Sequence, residues 1–472
     1  MKIYSTLTRK KEEFKPLKEG QLGIYVCGPT VYGPPHLGHA KSYINFDTVI
    51  RYFQFLGYKV KYVQNITDVG HLVGDGDDGE DKILKQAKKE NLDAYEIAYK
   101  YEVEFFKSMD ALNVLRPSIS CRATGFVNEM IDLVQDIIDK GYGYVTKEGN
   151  VYFNVRKYEK YGQLSNRKIE NALSGERIEV ATDKQNPEDF ALWKSVDENT
   201  LMQWKSPWGN GCPGWHMECT ALGRKFLGDR FDIHGGGIDN IFPHHECECA
   251  QADVALGHLP MNYFMHNGLV TVGGTKMGKS LGNYITLQDL MKEYGPMVVR
   301  YFILQFHYRS AVDFSKDSLE LASKQFEKTK EAVKKLRAIS TKSTANIVTP
   351  ELKEIKEKFV EAMNDDFNTA LAMVEFNKLI KIINMSNNLP VIADEVNYLI
   401  SKLGEGVLGL DFGGVDNNEN NDIPSDIQQL AEERWIAKQN KDWAKADQLR
   451  VKLTNLGYEI LDSKDGYKIN KK

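Results

Sequence analysis

Two histidines three residues apart, His36 and His39, follow the turn Gly28-Pro29-Thr30-Val31-Tyr32-Gly33-Pro34-Pro35 and stand where a helix-like segment begins. Residues three apart on a helix share a face, so both imidazoles can address one ligand, and the helix N-terminus adds partial positive charge suited to phosphate. Gly38 between them leaves room for a base or a ribose. Two lysines, Lys276 and Lys279, sit on the glycine-rich stretch Lys276-Met277-Gly278-Lys279-Ser280-Leu281-Gly282. Cations on such a loop can neutralise polyphosphate as charge builds on a leaving group. A third group gathers metal-ligand types: Cys219, and then His244-His245-Glu246-Cys247-Glu248-Cys249. The latter run, on a helix, offers two pairs at i and i+4, His244 with Glu248 and His245 with Cys249. Zinc accepts thiolate, imidazole and carboxylate, and Cys27 and Cys219 are the distant thiolates able to join either pair. Taken singly, each signal has a plainer reading: a surface histidine pair, solvated lysines, small buried cysteines. Their position on one sheet edge favours the chemical reading.

The elements that must place these residues are legible in the hydrophobic pattern. Gly23-Ile24-Tyr25-Val26-Cys27 is a β-branched and aromatic run stopped by Gly28-Pro29 and predicts a buried strand. An amphipathic helix over Ala40 to Phe55 and a second strand over Val60 to Ile66 complete a βαβ unit. Its crossover should be right-handed, and open parallel sheets bind ligands at their carboxyl edge. Thr67 and Asp68 end the second strand, where a side chain can reach that crevice. The pattern then repeats: Phe231-Asp232-Ile233-His234 runs into Gly235-Gly236-Gly237 and Asp239. Glycines there let the backbone approach a nucleotide, and Asp239 can accept hydrogen bonds from ribose hydroxyls. Gly214-Trp215-His216-Met217-Glu218-Cys219 opens a further helix, and Phe264 to Val270 reads as another strand.

The 472 residues suggest about three domains and ample chain for a core. Six cysteines in that length make no disulfide framework. The net charge of -5 neither demands nor excludes nucleic acid, since basic residues can gather on one face. No stretch approaches the roughly 18 apolar residues of a membrane span, and a cytoplasmic protein is expected. Asp75-Gly76-Asp77-Asp78-Gly79-Glu80-Asp81 invites a calcium reading that fails, because Gly79 stands where Asp or Asn is needed and no spaced Glu closes the loop. A solvated, mobile loop is the default there. Asp93 to Tyr142 reads as helical core. From Gly143 to Trp208 short strands, Asn150 to Asn154 and Arg177 to Val180, mark an insertion. After Asp313 the chain turns helical, with Leu319, Leu321, Phe326, Ala332, Val333 and Leu336 as apolar positions. Lys324, Lys328, Lys330, Lys334, Lys335 and Arg337 give a basic surface that is a candidate phosphate-backbone track. Asp411 to Pro424 reads as a linker. Beyond it, Arg434-Trp435 and Lys441-Asp442-Trp443 suit stacking on unpaired bases as well as they suit a small core.

With these motifs on view, the chain resembles the class I aminoacyl-tRNA synthetases over nearly its whole length. His36-Leu37-Gly38-His39 matches their HIGH signature, and Lys276 to Ser280 matches KMSKS with Gly278 replacing the middle serine. Tyr25 to Tyr32, Gly214 to Cys219 and His234 to Glu246 resemble the cysteine-specific branch in particular. The resemblance implies an α/β fold: a Rossmann-like parallel-sheet catalytic domain (1–142 and 209–310) with an insertion (143–208), a helical tRNA-binding bundle (311–410), and a linker with a small C-terminal anticodon-side domain (411–472). It also implies ATP-dependent activation of L-cysteine and transfer to the 3′ adenosine of tRNA(Cys), without an editing domain. One zinc would be held by Cys27, Cys219, His244 and Glu248, leaving Cys212, Cys247 and Cys249 as bystanders. Cys27, Thr67, Trp215 and His216 would form the amino-acid site. Thr30, His36, His39, Gly236, Asp239 and Lys279 would form the ATP site with Mg²⁺, and His36, His39, Lys276 and Lys279 would carry the chemistry. A monomer is expected. The alternatives are a ligase joining cysteine to a small amine and a non-catalytic tRNA-binding paralogue.

Overall fold

In the computed structural model the described residues are 1–73, 79–168, 183–277, 284–340, 346–413, 425–440, 442–462 and 467–471. Five parallel strands form the central sheet: β1 (Gln21–Val26), β2 (Lys59–Ile66), β3 (Ile119–Arg122), β4 (Phe231–Gly237) and β5 (Met261–Asn267). Their order is β5-β4-β1-β2-β3. The chain therefore winds outward from β1 through β2 and β3, then returns to lay β4 on the other side of β1. That reversal opens a crevice at the carboxyl ends of β1 and β4, the place where such sheets bind ligands. The strand β3 lies inside the segment read from sequence as continuously helical, which instead holds a helix Ala94–Ala111, this strand and a second helix Val127–Asp139. Four residues are too few to display a strand period, and only pairing with β2 makes them one.

The signature helix α1 (Leu37–Phe55) starts three residues earlier than the apolar pattern suggested. It is buried almost all round rather than amphipathic, because the sheet covers one side and helices Pro296–Leu304 and Ile400–Val407 cover the other. Its buried charged residues are consequently paired. Lys41 Nζ donates to the carbonyls of Gly268 (2.7 Å) and Tyr308 (2.9 Å), and burial lowers its pKa to about 7. Asp47 accepts from Arg51 Nε (2.8 Å), from the Leu115 amide (2.8 Å) and from Arg300 Nη2. Arg300 also donates to the carbonyls of Leu408, Leu112 and Asn113, tying the helices after the sheet to α1.

An antiparallel sheet in the order Gly143–Val145, Val151–Phe153, Phe190–Ser195, Gly209–Pro213, Trp204–Ser206 forms the insertion, so its last strand lies past residue 208. The strand expected at Arg177 to Val180 lies outside the described residues. In the first unit the short strand Val312–Phe314 leads, among the described residues, to the helices Lys316–Ile339, Pro350–Asn364, Thr369–Met385, Leu389–Leu399 and Ile400–Val407. Leu319, Phe326, Ala332, Val333 and Leu336 are buried as the period requires, whereas Leu321, two positions from Leu319, faces outward at 58% exposure. The chain divides into two compact units, Met1–Phe412 and Gly413–Lys472. The second has its own small core of Ile427, Ala431, Leu453, Tyr458, Ile460 and Ile469. In it Trp443 is exposed while Trp435 packs near Tyr467.

Arg300 and Asp47 are both fully buried. Replacing Arg300 by Met should therefore lower the stability of the first unit by about 3 kcal/mol, the low end of what removing one partner of a buried ion pair costs, because Arg51 stays on Asp47 and on the Asn113 carbonyl while the Leu408 and Leu112 carbonyls lose this donor. Denaturant unfolding of the purified chain reads this directly.

Candidate active site and metal centre

The crevice at the carboxyl ends of β1 and β4 holds a cavity of about 300 Å³. His36 is the N-cap of α1: its Nδ1 accepts from the Gly38 amide (3.0 Å), while His39 Nδ1 accepts from the His36 amide (3.1 Å). The two rings lie 3.9 Å apart, and both line the cavity. Because each Nδ1 is occupied as an acceptor, the proton of each neutral ring sits on Nε2. Gly38 is needed for a reason the sequence did not suggest: a Cβ there would come within 2.8 Å of the His36 ring. The glycines that end β4 likewise make room for protein. Added Cβ atoms would meet Phe46 at Gly235 (2.4 Å), His245 at Gly236 (2.6 Å) and Asp239 at Gly237 (2.5 Å). Gly236 and Asp239 nevertheless border the cavity, as do Thr30 and Thr67.

At its floor four residues of metal-ligand type converge. Cys27, the residue after β1, has Sγ 3.5 Å from Cys219 Sγ on helix α2 (Met217–Leu227). Cys219 Sγ is 3.5 Å from His244 Nε2, which is 2.9 Å from Glu248 Oε1 on helix α3 (Glu246–Leu256). All four are buried. Glu248 Oε1 makes no hydrogen bond although the imidazole nitrogen is so near, which leaves its lone pairs available to an ion. Ligands around a tetrahedral ion with bonds of about 2.0–2.3 Å lie roughly 3.3–3.8 Å apart, and the sulfur contacts match that spacing. A second set, Cys27, His234, His245 and Glu248, is equally compact. His245 thus also turns inward, its Nε2 3.0 Å from Cys27 Sγ, because it is three residues from Glu248 on the same helix face. Cys249, its proposed pair partner, is buried among apolar side chains instead.

Other histidines orient this cluster. His234 Nε2 donates to Glu248 Oε2 (2.7 Å), His216 Nδ1 meets His244 Nδ1 (2.9 Å), and His245 Nδ1 meets His266 Nε2 (2.7 Å). His216 therefore stands behind His244, while Trp215 lines the cavity and stacks on the His244 ring at 4.3 Å. Burial opposes ionisation of Glu248, yet His234 and His244 hold its pKa well below the carboxylate range. Burial likewise opposes a Cys27 thiolate, but the Cys219 thiol and His245 pull Cys27 down. Cys219 is pushed up by burial and by that neighbour. Glu218 escaped the sequence reading. Buried and shifted upward by desolvation, it accepts from Thr67 Oγ1 (2.7 Å) and Asn65 Nδ2 (2.9 Å), fixing the wall at Thr67. Asp68 turns away, capping Thr124 through its amide (2.9 Å) and hydroxyl (2.6 Å). Cys247 is fully buried against Tyr161, and Cys212 borders a separate cavity.

The lysine stretch enters on a hairpin, Val270–Val272 with Thr275–Lys276, and Met277 lines the cavity. Lys279 lies outside the described residues. The far end of the loop is fastened to the histidine corner: Tyr284 Oη donates to Pro34 O (2.6 Å) and the Leu287 amide to Pro35 O (2.9 Å).

Residues 13–324 match the family described as tRNA synthetases class I (C) catalytic domain, and residues 358–413 match the DALR domain. The cysteine–tRNA ligase of Bacteroides fragilis is 48% identical, with 99% of each chain covered. The chain belongs to the cysteine–tRNA ligase family. The corresponding ligase of Chlorobium chlorochromatii is 46% identical, with 98% of each chain covered. A methionyl-tRNA synthetase of Mycobacterium tuberculosis bound by methionyl-adenylate shares the fold with a TM-score of 0.59, at 14% identity, over 82% of this chain and 92% of that one. Among the described residues no helix is long and apolar enough to cross a membrane.

Gly38→Ala should force the His36 ring out of its cap. The expected cost is about 1 kcal/mol, the usual worth of an N-cap, measured by thermal or denaturant unfolding.

Proposed function

We propose that this chain activates L-cysteine with ATP to cysteinyl-adenylate and pyrophosphate, and then transfers the cysteinyl group to the 3′ adenosine of tRNA(Cys). The observation that carries the reading is the convergence of Cys27, Cys219, His244 and Glu248 on the floor of the cavity whose wall bears His36 and His39. Of the two compact ligand sets this one is preferred, because Cys27, Cys219 and His244 border the cavity and a substrate atom can add only from that side. Two thiolates, an imidazole and a carboxylate suit Zn²⁺, one per chain; bound there, it would take the substrate thiolate as a further ligand and so favour cysteine over serine.

The protein's own groups do the rest. Thr67 and Trp215, with His216 holding His244 from behind, shape the amino-acid pocket. His36 and His39 offer Nε2–H donors to the α-phosphate as the cysteine carboxylate attacks in line, and Thr30, Gly236 and Asp239 hold the nucleotide. Lys276 and Lys279 neutralise the departing pyrophosphate with Mg²⁺. No side chain need act as nucleophile. The basic helix after Ser315 and the second unit serve tRNA, in a cytoplasmic monomer. The chain is similar to its curated relatives from end to end, tail included, which disfavours the small-amine ligase.

Cysteine-dependent ATP–pyrophosphate exchange with stoichiometric zinc is the expected result for the purified chain. Cys219→Ser should lose zinc and raise KM for cysteine, whereas Cys247→Ser should do neither; an active enzyme free of metal, or one that needs Cys247 to retain it, would refute the ligand set. Ending the chain after Phe412, where the first compact unit ends, should leave exchange near the intact level and cut transfer to tRNA(Cys) by at least tenfold, on the order of losing several phosphate contacts. Equal loss of both activities would defeat this division.

A further inference from the structure

The acidic loop after β2 leaves a residue in the cavity that the proposed function has not used. The chain leaves β2 through Gly70, whose φ of +77° and close approach to Pro213 O (2.5 Å from an added Cβ) bend it sharply. It returns at Asp81, the buried N-cap of helix Lys82–Glu90. The neck is closed by the Lys82 amide donating to His71 O at 3.0 Å. Both neck side chains, His71 and Lys82, then line the reactant cavity.

His71 is held on three sides. Its Nε2 is 2.6 Å from Lys82 Nζ, its Nδ1 is 2.6 Å from Thr30 Oγ1, and its ring stacks on Trp215 at 3.7 Å and 10°. An ammonium can only donate, so Nε2 is the acceptor, and the ring proton sits on Nδ1. Nδ1–H then donates to Thr30 Oγ1, which leaves the threonine's own proton to be given elsewhere. The Thr30 backbone is fixed from the other side by pairing with Thr67, through Val31 N to Thr67 O (3.1 Å) and Thr67 N to Pro29 O (3.0 Å). A hydroxyl so held, on a wall of a cavity whose proposed reactants carry carboxylate and phosphate oxygens, is a donor without freedom to turn away.

We propose that His71 is a positioning residue for the chemical step: clamped between Lys82 and Trp215, it orients the Thr30 hydroxyl as a donor to the anionic oxygens of the reacting pair. His71 and Lys82 together then deliver to the cavity an imidazole flanked by a cation. The inference rests on the proposed activation of cysteine.

Cysteine-dependent ATP–pyrophosphate exchange by the full chain, with zinc bound, tests it in wild type, His71→Phe, His71→Asn, Thr30→Val and the double variants. Phenylalanine keeps a flat ring against Trp215 but has no nitrogen, and asparagine restores an N–H near the Nδ1 position. His71→Phe should lower kcat about 10²-fold, as loss of a transition-state donor does, with KM for cysteine unchanged. His71→Asn should recover at least tenfold of that loss. In the Thr30→Val background His71→Phe should cost nothing further, since both changes remove one relay. Additive losses in the double variant, a loss confined to KM, or asparagine no better than phenylalanine would overturn the proposal. If the phenylalanine variant fails to fold, the cycle of His71→Asn with Thr30→Val decides the same question: an effect of His71→Asn that persists in full on Thr30→Val overturns the proposal, and one that vanishes there supports it. Wild type without cysteine-dependent exchange would instead remove the proposed activation of cysteine, and the role of His71 with it.

Discussion

The Cys27 amide donates to the Gly235 carbonyl at 3.0 Å, and this one main-chain bond carries the parallel pairing of β1 and β4 to the very edge of the sheet. Everything at the floor of the cavity depends on it. It sets Cys27 beside the strand that leads into α3, and with the sheet order reversing at β1, it leaves the space between the two strand ends open above. Gly28 continues the same close approach on the other side, where its amide donates to Asn65 Oδ1 (2.7 Å) and an added Cβ would fall 1.5 Å from Asn65 O. A chain that shifted this register by a residue would send the thiol to the opposite face of the sheet.

Around that edge the polar groups are arranged in layers, each fixing the one in front. Glu218 and Asn65 hold Thr67; His216 and His234 hold His244 and Glu248; Trp215 lies flat between His71 and His244. Orientation of this kind is what lets buried donors and ligands act without rearranging. The same economy extends below the site, where Lys41 and Arg300 satisfy carbonyls that would otherwise be stranded between the sheet and the helices packed beneath it.

The sequence made the strands β1, β2, β4 and β5, the signature helix and the chemical residue types readable, because each is announced by local period, turn residues or spacing. It could not tell which face of α3 looks inward. Both His244 and His245 do, since they stand four and three residues before Glu248 and so share its face of the helix. Nor could it weigh glycine roles: Gly38, Gly235 and Gly237 give way to neighbouring side chains that only tertiary packing brings there. Strand β3 was hidden by its shortness. Glu218 and His71 carry no signal of their own in the sequence, one standing beside a cysteine and the other just before a run of acidic residues.

The cap of the signature helix decides which nitrogen each of its two histidines offers to the cavity. Histidines that bind phosphate are ordinarily thought of as imidazolium ions, so their grip should fade as the solution passes neutrality. Here the backbone amides of Gly38 and His36 occupy the Nδ1 lone pairs. The uncharged rings are thereby locked in the tautomer that still presents an N–H to the cavity. The helix start thus fixes the donor nitrogen of both rings through backbone geometry rather than through charge.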